Sequence, residues 1–119
     1  SPANTEFKHL WQAYIKNPRR VTNDPMEATY TGFNMWAQAV AKANTTAVDA
    51  VRTAVIGEKF AAPSGYTEEM LPNHHLSKPV MIGEIQADGQ FNIVYKTPAV
   101  VPAENWSQFI PENANRRRG

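Results

Sequence analysis

Leu71-Pro72-Asn73-His74-His75-Leu76-Ser77-Lys78-Pro79-Val80-Met81-Ile82-Gly83-Glu84-Ile85-Gln86-Ala87-Asp88-Gly89-Gln90-Phe91 admits two opposed readings. As chemistry, it offers paired histidines near carboxylates, hence a metal site or a proton shuttle. As a fold, it offers a proline-bounded strand, an Asp-Gly turn and a second strand. Neighbouring residues in an extended segment point to opposite sides, so His74 and His75 cannot readily chelate one ion there. The nearest acids, Glu68, Glu69 and Glu84, stand at no ligand spacing from the pair. One imidazole bonded to backbone and the other in solvent is the simpler account. The apolar, β-branched runs Val80–Ile85 and Phe91–Tyr95 predict strands, and Asp88-Gly89 predicts the hairpin turn, because Gly tolerates the positive φ such turns need. Phe91, Ile93 and Tyr95 fall on one face of the second strand, Asn92 and Val94 on the other.

Upstream of this stretch the period changes from two to 3.6. Phe7, Leu10, Trp11, Tyr14 and Ile15 make one apolar stripe of a short helix, with Asn4 or Thr5 as its cap and Asn17-Pro18 as its stop. Such a stripe is more often core than a stacking platform for a ligand, although Phe7, Trp11 and Tyr14 fit either role. Asp24-Pro25-Met26-Glu27 predicts the second helix start: an Asp N-cap, Pro at the first helical position and Glu three residues on. Met26, Tyr30, Phe33, Ala37, Val40 and Ala41 mark one face; Met35, Trp36, Ala39 and Ala43 widen it. A helix apolar around so much of its circumference packs on more than one side. Asn44 closes it. Thr46 with Asp49 predicts a capping box for a third, short helix, with Val48, Val51 and Val55 as its stripe and Gly57 as its end. Pro63-Ser64-Gly65 is a turn signal. Downstream of the hairpin, Pro98, Pro102 and Pro111 punctuate an extended segment that Trp106, Phe109 and Ile110 are expected to pin to the body.

A chain of 119 residues, 42% hydrophobic with three Trp, suits one domain with a modest core. A net charge of +1 with dispersed acids and bases argues against nucleic acid as the main partner. Arg116-Arg117-Arg118 reads as part of a solvated, flexible tail over 111–119. The absence of Cys excludes disulfides, thiolate catalysis and Cys-based zinc sites. No apolar run approaches a membrane span, and no signal peptide is visible. The start at Ser1 suits a mature product or an excised piece.

The chemical constellations are sparse. Asp24 and Glu27 are paired carboxylates, but capping explains both and a helix N-terminus favours their ionised forms. A helix start that faces a cleft can also bind a small polar solute. Ser64-Gly65 lacks the flanking Gly of a nucleophile elbow, and there is no Gly-rich phosphate loop. The residues themselves support no enzyme, no cofactor and no metal; a small metalloenzyme using His74, His75 and Glu84 is the least favoured reading.

The motifs Thr22-Asn23-Asp24-Pro25-Met26-Glu27-Ala28-Thr29-Tyr30 and Gly32-Phe33-Asn34-Met35-Trp36-Ala37-Gln38-Ala39-Val40, then Ala62-Pro63-Ser64-Gly65, Asn73-His74-His75-Leu76, Lys78-Pro79-Val80, Ile82-Gly83-Glu84-Ile85 and Asp88-Gly89-Gln90-Phe91, occur in order. Together they closely resemble the late part of the urea-type ABC-transporter substrate-binding proteins. These belong to the type I periplasmic binding proteins, the Leu/Ile/Val-binding-like family. The resemblance runs from about Asn4 to about Ile110. It implies an α/β chain: a fragment of a two-lobed fold, with three helices followed by a β-hairpin and an extended C-terminal segment. By the same resemblance, 1–119 form a single partial domain, the C-terminal portion of a longer binder. The implied function is the solute-binding component of an ABC importer for urea, a short-chain amide or an amino-acid-like solute, partnered by a membrane permease and located in the periplasm or otherwise outside the cytoplasm. A ligand-sensing regulatory domain of the same fold is the alternative. The residues expected to touch solute are Asp24, Glu27 and Tyr30, with Met26 favoured as packing. Faces left without their sheet are expected to drive self-association.

Overall fold

A computed structural model describes residues 1–116. The chain divides into two compact units, Ser1–Met70 and Leu71–Gly119.

The first unit opens with α1 (Pro2–Tyr14). Its cap is Ser1, not Asn4 or Thr5: Ser1 Oγ accepts from Asn4 N–H at 3.1 Å, and Pro2 loses nothing at a position whose N–H has no helical partner. Helix α2 (Asp24–Ala43) is also capped one residue earlier than expected. Asn23, in extended conformation, accepts from Met26 N–H through Oδ1 at 3.0 Å, so Asp24 is the first helical residue. Asn44 ends α2 in the left-handed region (φ 50°), as its short polar side chain allows. For α3 (Val48–Ala54) the Thr46–Asp49 capping box does not form. The cap is Ala47 without a side-chain bond, and Thr45 Oγ1 accepts from Ala47 N–H instead.

Helix α2 buries Thr31, Met35 and Ala39, an i, i+4, i+8 row. The expected row through Phe33 and Ala37 faces outward; Phe33 is 64% exposed and pairs with the half-exposed Trp36 ring at 5.8 Å. Periodicity located two apolar stripes on α2, and the partners available in this chain cover the other one. Val51 and Val55 complete the core beside it, and Lys42 straps α2 to the end of α3 through Ala54 O and Glu58. Strands β1 (Lys59–Ala61) and β2 (Thr67–Met70) then form an antiparallel hairpin around Pro63-Ser64-Gly65, with Gly65 at φ 89°.

In the second unit, β3 (Leu76–Ser77) precedes a hairpin of β4 (Met81–Ile85) and β5 (Phe91–Lys96), the hairpin the sequence predicts. Gly89 adopts φ 80°, and Asp88 Oδ1 accepts from Gln90 N–H across the turn. A bulge interrupts the pairing between Ile82 and Gly83. Every residue of β4 and β5 is exposed. The C-terminal segment is not pinned by its large side chains, since Phe109 is 88% exposed and Trp106 and Ile110 are also exposed. Backbone holds it instead: Lys78 pairs with Val101, and Asn73 Nδ2 donates to Ala103 O. Within 111–119, Pro111–Asn115 make a short 3-10 helix and the Arg116 guanidinium lies 4.2 Å over the Trp106 ring. Arg117 and Arg118 of the expected tail lie outside the described residues.

These elements, three helices with small antiparallel sheets, make the α/β fragment expected from the sequence.

Candidate functional site

Asp24, Glu27 and Tyr30 occupy the first two turns of α2 and have separate surroundings. Asp24 is exposed at the helix start. Glu27 is half-buried, and its carboxylate accepts from Ser64 N–H at 2.6 Å instead of reaching back to the cap. It thereby fastens α2 to the β1–β2 turn. The same turn is held again where Ser1 Oγ donates to Pro63 O at 2.7 Å. Tyr30 lies among rings: Phe7 at 5.0 Å and Phe60, edge-on, at 5.8 Å.

Beside Tyr30, α1 and the start of α2 flank an open, shallow groove of about 480 Å³ lined by Phe7, Trp11, Asn23, Pro25, Met26, Thr29 and Tyr30. No charged side chain lines it. Phe7 is buried and Trp11 half-buried, while Tyr14, the third ring of the α1 stripe, is 82% exposed and outside it. The Trp11 indole N–H is shielded from solvent and has no acceptor. Of the three sequence-predicted residues, then, only Tyr30 reaches this groove. Trp11 and Met26, which the sequence pattern assigns chiefly to packing, line it as well. The signal that could have found the groove is the one-sided α1 stripe, but a stripe does not disclose whether a partner covers it.

The histidines lie in the second unit. His75 Nδ1 donates to Asn73 O at 3.0 Å, the backbone role expected of one ring; His74 is exposed with φ 60°. Among the described residues, no three His, Asp or Glu side chains come together to hold a metal ion. Among the described residues, no helix is long and apolar enough to cross a membrane.

A family model described as "Periplasmic binding protein domain" matches residues 1–112. The chain belongs to this family. Membership agrees with the type I resemblance and implies an extracytoplasmic location. This periplasmic binding protein domain is also 33% identical over 99 residues to a Geobacillus stearothermophilus protein named "Limonene hydroxylase". The match covers 82% of the chain and spans 18% of that relative's length.

Proposed function

We propose that the chain is part of the solute-binding component of an ABC importer, and that its solute is urea, a short-chain amide or an amino-acid-like molecule. The observation that carries this reading is the family match over nearly the whole chain; the ordered motifs supply the importer and the solute class. At the start of α2, the Asp24 and Glu27 carboxylates accept N–H groups of an amide, and the Tyr30 hydroxyl meets its carbonyl. Glu27 spends one oxygen on Ser64 and keeps the other for solute. The partner is a membrane permease, and the protein performs no reaction. The relative's name denotes a hydroxylase, but this chain spans only 18% of its length. The exposed Phe33–Trp36 pair and the uncovered β4–β5 hairpin support self-association of the chain on its own.

Calorimetry on the longer protein that this reading requires provides the test. Saturable heat with one member of the urea, short-amide or branched-chain amino-acid set is expected. Silence across all three overturns the solute assignment.

A further inference from the structure

We infer that Asp88 is a site of spontaneous covalent modification, at which the Asp88-Gly89 peptide closes to a succinimide and reopens as isoaspartate, and that this change takes the β4–β5 hairpin apart. Asp88 is the only Asp or Asn in the chain that precedes Gly. It is exposed at the tip of the hairpin. Asp88 Oδ1 accepts from Gln90 N–H at 3.0 Å, a bond that folds the carboxyl back along the chain past the Gly89 nitrogen. Gly89 has no Cβ to obstruct that approach, and even a Cβ built there would meet no atom within 4 Å. The Gly89 N–H is bonded to Gln86 O at 2.9 Å, so the reaction proceeds from molecules in which that bond has opened. No residue of β4 or β5 is buried, and opening therefore exposes no core. The other two Asp residues lack these conditions. Asp24 precedes Pro25, which has no N–H. Asp49 lies within α3, whose helical backbone holds its carboxyl carbon away from the Ala50 nitrogen.

The step needs only water. Gly89 N–H gives its proton to solvent, and the nitrogen forms a bond to Asp88 Cγ. The Cγ–OH bond breaks and water leaves. Water then adds to one of the two imide carbonyls. Opening at the Cγ carbonyl restores aspartate; opening at the main-chain carbonyl leaves the chain running through Cβ and Cγ. The turn is then one backbone atom longer. Its closing bonds, Gly89 N–H to Gln86 O and Gln86 N–H to Gln90 O at 2.8 Å, lose their register. Nothing else in the uncovered hairpin offsets that loss.

The experiment holds the 119-residue chain for several weeks in mildly acidic buffer at physiological temperature. Isoaspartate is counted with an isoaspartyl carboxyl methyltransferase and located by peptide mapping with electron-based fragmentation. A succinimide form lighter by one water is expected first, then isoaspartate at residue 88 in about tenfold excess over residue 49. Asp88→Glu, which would need a larger ring, should remove the methyl-accepting signal. Gly89→Asn tolerates the positive φ but sets a Cβ beside the attacking nitrogen, and should lower the yield about tenfold whether or not the hairpin forms. NMR of the isolated isoaspartyl form should lose the cross-strand Ile85–Phe91 contact while the Met35 and Ala39 signals stay in place. The inference is overturned if residue 88 isomerises no more than residue 49, if either variant retains the full yield, or if the isoaspartyl form keeps its cross-strand contacts.

Discussion

Glu27 carries the sharpest difference between local pattern and fold. Asp24-Pro25-Met26-Glu27 reads as a capping box, but the preceding Asn23 caps as well as Asp, and Pro suits the first turn after either. Asn23 takes the cap, and Glu27, freed from it, turns to Ser64, 37 residues on. Glu27→Ala removes a charge-assisted acceptor from a half-buried N–H and should cost about 2 kcal/mol in chemical denaturation. Glu27→Gln keeps an acceptor and should cost less than half as much. A Glu27→Ala variant as stable as the parent would mean that the Ser64 bond contributes nothing. Asn23→Ala should cost about 1 kcal/mol by the same measurement, whereas Asn23→Ser should be near neutral. The helix start was thus legible to within one residue. The Ser64 contact was not, because nothing in the local sequence marks a partner so far away.

At the scale of elements, the question is which face of α2 is covered. The sequence shows apolar residues around most of the helix, and periodicity cannot rank two stripes of similar strength. Burial ranks them: Met35 and Ala39 are fully enclosed, whereas Phe33 is open. Met35→Ala should therefore cost about 2–5 kcal/mol by denaturant titration, and Phe33→Ala within about 0.5 kcal/mol. Comparable losses at both positions would refute the assignment of faces. The β4–β5 hairpin was far more legible, because Asp88-Gly89 between two β-branched runs is a local signal with a local cause. Its packing is specific at one point. A Cβ on Gly83 would stand 3.0–3.3 Å from Phe91 Cδ1, Cβ and Cγ. Gly83→Ala should displace Phe91 and weaken the hairpin by about 1 kcal/mol, read as faster amide exchange across β4 and β5. Exchange rates unchanged from the parent would show that the ring moves aside without cost.

At the scale of the molecule, stability is unevenly distributed. The first unit holds the buried residues Phe7, Met35, Ala39, Val51 and Ala62, whereas no residue of β4 or β5 is buried. An uncovered two-stranded hairpin is marginal in water. Native-state hydrogen exchange should find the most protected amides in the middle of α2, around Met35 and Ala39, and only weak protection across Met81–Lys96. The opposite order would show that the hairpin is covered in solution. What the sequence alone determined are the features with short-range causes: three helices, their approximate ends, both turns, the second hairpin, and motifs specific enough to indicate a binding-protein family. Only the tertiary structure decided which α2 stripe is core, that Glu27 staples a distant turn, that Trp106, Phe109 and Ile110 do not anchor the C-terminal segment, and that Phe7, Trp11 and Tyr30 line one groove. The physical reason is the range of the forces involved. Helix caps and turns are settled by hydrogen bonds within a few residues, whereas burial depends on which surfaces, remote in sequence, are brought together.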